Sequence, residues 1–287
     1  MEDPASAPVI RPALLAASLA TTALAGPSWL PSAGAAVAWH GNITNANRPA
    51  DVIGALRLGA EFGAARRQPL GRDDTLLTAI SARAEAWPRF DGLDRAGAGA
   101  RVAWQRKFGL GAFAPTLSLE GAGEWMGARE SGRAGRLGLL ALTARQRLAP
   151  AWVTRGRHEL ARHDGRAAAF DRTGRETTLA LDWEVAAGWR LTASVARRRG
   201  DVLAYATPPR PDILREGRAT GLMTTFDRER PMMSYLVDAR SLTGRLESAF
   251  TLDARQTLLL AAEYHETERG TVRYLNRNLS LALDRRL

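Results

Sequence analysis

From about residue 36 to its end this chain alternates apolar and polar residues, breaks at a turn, and alternates again, as in Leu56-Arg57-Leu58-Gly59-Ala60-Glu61-Phe62. Period two puts successive side chains on opposite faces of a strand, so each segment carries one apolar face and one wet face. The wet face holds charge on nearly every segment. That suits a water-bearing interior better than a packed core, and it leaves the apolar face needing a solvent of its own.

Read segment by segment, the alternation predicts twelve strands, over 36–45, 53–66, 75–89, 96–108, 116–128, 136–148, 152–162, 176–186, 189–199, 240–252, 257–269 and 273–287. The connections also alternate in kind. Arg67-Gln68-Pro69-Leu70-Gly71, Leu148-Ala149-Pro150-Ala151, Ala187-Gly188 and Asp253-Ala254-Arg255-Gln256 are tight turns rich in Pro, Gly or Asp. The connections between them tend to be longer and more polar, above all 198–238, where Pro208-Pro209-Arg210-Pro211 and Pro231 suggest a loop that stands outside or folds inward as a cap. A hairpin hidden there would raise the count to fourteen. Trp39, Trp87, Trp104, Trp125, Trp152, Trp183 and Trp189 fall within predicted strands, and the last three lie beside tight turns, where an interfacial girdle would form.

The N-terminus supplies a location. Arg11 precedes an apolar stretch from Ala13 to Leu24, and Ala23-Leu24-Ala25 before Gly26 has the form of a small-residue cleavage site. The stretch is shorter than the roughly 20 apolar residues that span a bilayer as a helix. We therefore expect residues 1–25 to be an export signal and 26–287 a single domain. The 287 residues include no cysteine, which excludes a disulfide framework and a thiolate metal site.

Net charge is +10, and of 40 basic residues only Lys107 is lysine. The basic residues are spread along the strands among 30 acidic ones instead of gathering in a tail or on a helix face, which argues against nucleic acid as partner. They fit attraction of anions, or of phosphate on lipopolysaccharide, better. If the apolar phase faces lipid, the opposite phase collects Arg57 and Glu61, then Arg83 and Glu85, Arg101 and Lys107, Glu120 and Glu124, Arg145, Arg155 and Arg157, Asp182, Glu184 and Arg190, and finally Arg245, Glu247 and Glu263. Charge at the midplane of the lipid face costs roughly 2–4 kcal/mol per Arg or Lys, and that asymmetry fixes the phase. Neighbouring strands often carry opposite signs, which antiparallel pairing would convert into cross-strand ion pairs.

On these features the chain resembles the bacterial outer-membrane β-barrel class, porin-like, over nearly all of residues 26–287. The resemblance implies an all-β, transmembrane, antiparallel up-and-down barrel of about twelve strands, with periplasmic short turns, external long loops and 198–238 as the longest of them. It implies contact with the lipid bilayer and lipopolysaccharide, insertion by the outer-membrane assembly machinery, small solutes as cargo and no cofactor. Barrels of this class usually end in an aromatic residue; here Leu279, Leu281 and Leu283 keep the phase, Arg285 interrupts it and the last residue is Leu287.

No enzyme pattern emerges. His40-Gly41-Asn42 has no serine tied to it, as an outer-membrane phospholipase would need. Asp73-Asp74 and His163-Asp164, the residue types of omptin-like proteases, belong to opposite ends of the predicted barrel. His158 and His163 are five apart in an extended segment and so point to opposite faces, which leaves no metal pair. Gly97-Ala98-Gly99 lacks the helix of a phosphate loop, and Arg199-Gly200-Asp201 is too short to signal adhesion. The expectation is a small pore or transport channel with an arginine-rich lumen; the alternative is a non-conducting structural or surface-interaction barrel plugged by its own ion pairs or by loop 198–238.

Overall fold

The computed structural model describes residues 29–226, 229 and 231–287; the export signal expected over 1–25 lies outside them. Thirteen strands form one antiparallel sheet: β1 (Trp29–His40), β2 (Ala55–Pro69), β3 (Asp74–Ala86), β4 (Arg95–Lys107), β5 (Thr116–Ala128), β6 (Gly135–Ala149), β7 (Trp152–Gly165), β8 (Arg172–Ala186), β9 (Trp189–Ala206), β10 (Gly217–Met223), β11 (Met232–Thr251), β12 (Gln256–Arg269) and β13 (Val272–Arg286). Each strand from β1 to β8 pairs with the next, β11 pairs with both β9 and β12, β12 pairs with β13, and β13 closes the ring on β1. The result is a closed barrel of twelve strands, with β10 added only to the outer part of β11. Closure leaves the wall without an unpaired edge.

The expected phase organises the wall. Leu56, Leu58, Leu140, Leu142, Leu160, Leu179, Leu242 and Leu281 point outward and are exposed, Leu140 and Leu179 by 60%. Such a belt has no place in water and fits hydrocarbon. Aromatic residues rim it at the end that carries the short turns: Trp152 stacks on Trp183 at 5.3 Å between ring centroids, and Trp189 stacks on Phe250 at 5.8 Å. At the other end Trp39 and Trp125 are outward and exposed.

Several boundaries differ from expectation. β1 lies at Trp29–His40, not 36–45, because Gly41 and Asn42 leave the ladder: the Asn42 side chain donates to the Ala46 carbonyl at 2.9 Å and the Leu275 carbonyl at 3.0 Å and nucleates a loop instead. Trp87 sits just past the end of β3, its ring 5.2 Å from that of His40. The alternation of long and short connections also has two exceptions, since 108–115 joins β4 to β5 at the short-turn end and only 270–271 join β12 to β13 at the other.

The largest difference concerns 198–238. β9 and β11 continue in register as far as Met233 opposite Ala206, well beyond the predicted ends at 199 and 240. A short helix, α1 (Pro211–Glu216), and β10 complete the segment. This outer hairpin is covered on both faces. Leu203, Tyr205, Met232 and Leu236 pack with Phe90, Phe170 and Phe226 from other connections, while Ala204, Ala206, Tyr235 and Val237 pack with Ile213 of α1 and with Val272 and Tyr274. A strand pair buried on two sides needs apolar residues without alternation. That is why Val202-Leu203-Ala204-Tyr205-Ala206 and Tyr235-Leu236-Val237 break the period and read as no strand at all.

Candidate functional site: the inner face and the chamber beneath the cap

The ladder places every expected inner-face residue on one side of the sheet, and most are brought together as ion pairs. Glu85 accepts from Arg57 at 3.2 Å and from Arg95 at 2.8 Å. Arg83 makes a two-pronged pair with Glu124, both contacts at 2.6 Å, although β4 lies between their strands. The crossing is possible because β4 has Gly97 and Gly99 there: a Cβ on Gly97 would sit 2.6 Å from a Glu124 carboxylate oxygen and 2.8 Å from the Trp125 carbonyl. Glu120 is shared by Arg157 at 3.2 Å and Arg101 at 3.6 Å, and Arg157 also donates to Glu159 at 2.9 Å. Arg155 pairs with Asp182 at 2.8 Å, Arg147 with Glu184 at 3.6 Å, and Arg245 with Glu247 at 2.6 Å and Glu263 at 3.7 Å. Glu61, Lys107, Arg145 and Arg190 make no ion pair among the described residues.

Three cavities run along this face and share walls. The first, about 340 Å³, lies among Ser32, Glu61, Ser81, Arg101, Glu124 and Leu139. The second, about 220 Å³, shares Leu137 and Leu139 with it and adds Glu159, His163, Arg172 and Arg198. The third, about 420 Å³, shares His163 and Arg172 with the second and extends below the outer connections to His40, Trp87, Arg95, Arg133 and Phe170. Together they extend from the middle of the wall to a chamber beneath the outer hairpin.

The roof of that chamber is held by polar ties as well as by the apolar cluster. The Tyr205 amide donates to the Thr44 carbonyl at 2.7 Å, and the Asn45 side chain to the Leu203 carbonyl at 2.8 Å. Arg133 donates to Glu130 at 2.7 Å and to the Tyr205 hydroxyl at 2.9 Å, with its guanidinium over the Phe170 ring at 4.9 Å. Burial works against the charge on Arg133, yet the Tyr205 phenol and Glu130 outweigh it and hold the guanidinium above its ordinary pKa. At the foot of α1, Arg210 is wholly buried and donates to Asp51 at 3.3 Å, to Asp212 at 2.7 Å and to Asn47. The Arg210 guanidinium holds the Asp212 carboxyl well below the usual carboxylate range.

The sequence did not single out Arg95, Arg133, Arg172 and Arg198, the cations around the chamber, and it raised His163 only as a protease or metal residue. Arg95 lay one residue before the strand expected over 96–108, Arg172 fell between the strands expected over 152–162 and 176–186, and Arg198 lay where the strand expected over 189–199 meets the connection 198–238. Other pairs singled out in the sequence stay apart. Asp74 begins β3 at the short-turn end whereas His163 ends β7 at the other. His158 faces outward and bonds Thr177 at 2.9 Å, while His163 faces inward and is buried. No group of three or more His, Asp or Glu among the described residues is placed to hold a metal ion.

The closed twelve-stranded wall, the outward leucine belt with aromatic rims and the charged inner face together define a transmembrane β-barrel of the outer-membrane kind. No family model matches the sequence, and no curated protein is significantly similar to it. Among solved structures, an outer-membrane channel from Pseudomonas putida F1 is similar with a TM-score of 0.60 at 12% identity, over 92% of this chain and 97% of that one. A KdgM porin in complex with disordered oligogalacturonate gives 0.45 at 7% identity, over 88% and 98%. The translocator domain of the autotransporter NalP from Neisseria meningitidis gives 0.42 at 10%, over 97% and 96%.

Proposed function

We propose that this barrel is a small outer-membrane pore or transport channel with an arginine-rich lumen, closed at its outer mouth by the β9–β11 hairpin and the connections packed on it. The observation that carries the reading is the run of cavities with shared walls along a charged inner face. A barrel meant only to be filled has no need of contiguous polar space. Arg57, Arg83, Arg101, Arg145, Arg155, Arg157 and Arg245 then line the path, and the inward cations that make no ion pair among the described residues, Lys107, Arg145, Arg172, Arg190 and Arg198, outnumber the inward carboxylates Glu61, Glu176 and Asp284 that make none, which favours anions. Planar-bilayer recording tests this. Wild-type protein should give channels with anion preference, and Arg101→Glu with Arg145→Glu should move the reversal potential toward cations. Inserted protein that conducts under no condition defeats the proposal.

A second reading, a non-conducting structural or surface-interaction barrel, is favoured by the apolar cluster across the mouth. Met233 stands opposite Ala206, so residues 207–231 can be replaced by a short glycine linker that closes the hairpin. A channel capped by this segment should conduct more after the replacement. A structural barrel should stay silent.

The same proposal takes residues 1–25 as a cleaved export signal, which N-terminal sequencing of the mature protein beginning at Gly26 would support, and 26–287 as one barrel domain inserted by the outer-membrane assembly machinery. Contact with lipopolysaccharide is supported by outward arginines in one lateral row, Arg175 beside Arg199 beside Arg240, all exposed. Arg197 in the row below them is eight residues from Trp189, about 20 Å along the axis for a strand tilted by ~40°. The apolar band of such barrels is about 25 Å tall, so the arginines lie at its upper edge, where lipid phosphates are found.

A further inference from the structure

We infer that the chamber beneath the cap is a binding site for a small organic anion, a carboxylate carried on an apolar or aromatic body, with Arg172 as its seat. The inference deepens the channel reading by naming the class of solute. It rests first on a charge left without a partner. The Arg172 side chain makes no ion pair among the described residues, and its Nε is buried with no hydrogen-bond partner. Besides burial, the side chain that acts on it most strongly is the Tyr205 phenol, followed by Arg198, Arg95 and Arg133, all cations, and no carboxylate is among them. Arg95 and Arg133 are already matched by Glu85 and Glu130. Arg198 donates only to the Asp201 carbonyl at 3.5 Å. The carboxylates along this part of the wall do not pair with Arg172: Glu159 is matched by Arg157, Asp171 accepts from the Gly165 amide, and Glu176 stands opposite Arg198 in the ladder and accepts from the Thr178 hydroxyl.

Arg172 is thus held beside other guanidinium groups with no ion pair of its own and with its Nε buried, a position in which an unmatched charge is costly. Buried His163, which faces Arg172 in the ladder, adds a second orphan in Nδ1. A carboxylate placed between Arg172 and His163 would accept from both, and a guanidinium suits a carboxylate's two oxygens. The rest of the chamber sets the body of the ligand. Its walls include Trp87, Leu93, Phe170, Met126 and Leu203, and its 420 Å³ is within the range of sites for small organic molecules. An inorganic anion would leave that apolar wall unfilled.

Equilibrium binding to the detergent-solubilised full chain tests the site with benzoate, benzamide of the same shape without charge, and sulfate as an anion without an apolar body. Benzoate should bind saturably, with benzamide and sulfate each at least tenfold weaker. Arg172→Gln should weaken benzoate at least tenfold while keeping heat-modifiable gel mobility. Absent benzoate binding, equal affinity for benzamide, sulfate equal to benzoate, or a folded Arg172→Gln protein with unchanged affinity would each overturn the inference. Should that variant not fold, the wild-type ranking of the three probes decides alone. Because this assay needs no conduction, benzoate binding with silent bilayers would retire the channel reading and keep the site, whereas conduction without benzoate binding would do the reverse.

Discussion

At the scale of single residues, the inner face depends on where small side chains let long ones cross. Arg83 reaches Glu124 over β4 only because positions 97 and 99 carry no Cβ. Gly97→Val should therefore break the two-pronged pair and push β4 from β5, costing about 1–3 kcal/mol as overpacking does; the check is a lower temperature for the heat-induced gel-mobility shift. Buried Arg210 offers a second case. Asp51→Ala removes one of its carboxylates from a fully buried environment, a loss on the order of 3 kcal/mol where a buried ion pair is broken from one side. We expect faster proteolysis within 207–231 and an unchanged barrel.

At the scale of elements, the outer hairpin is the part whose stability sets the state of the mouth. An ion pair inside the cap, Arg210 with Asp212, titrates. The Asp212 carboxyl, held low by Arg210, contributes stability that is complete above its unfolded pKa of about 3.9 and is lost as pH falls through the still lower folded value. Cap proteolysis should therefore stay constant from neutral pH down to about 4 and rise below it, and Asp212→Asn should flatten that rise. The hairpin also explains what the sequence concealed. Alternation reports a strand with one wet face, and the outer parts of β9 and β11 have none, so residues 202–206 and 232–237 looked like loop while being the most thoroughly buried strands of the molecule.

At the scale of the whole molecule, the barrel separates two solvents and keeps its charge mostly on one side. Opposite signs on neighbouring strands become ion pairs that stiffen the lumen, and the remaining cations give it its sign. The outward belt predicts fractionation with the outer membrane and a folded band that migrates apart from the heated one; recovery in the soluble fraction without that shift would contradict the barrel. Charge reversal at Arg101 and Arg145 acts on conduction and selectivity at this scale, since neither residue holds a strand in place by packing.

The wall was legible in the sequence because each strand's pattern is a local consequence of having lipid on one face and charge on the other: the order of twelve strands, the phase of Arg57 through Glu263 and the turn at Ala187-Gly188 follow from residues a few positions apart. The passage of Arg83 across β4 and the gathering of Arg172 and Arg198 beside Arg95 and Arg133 did not follow, because these residues are distant in the chain and meet only once the sheet has curved into a ring. Local chemistry determined which face each residue takes. Tertiary structure alone decided that the outer mouth is covered and that Arg172 stands beneath it without a counter-charge.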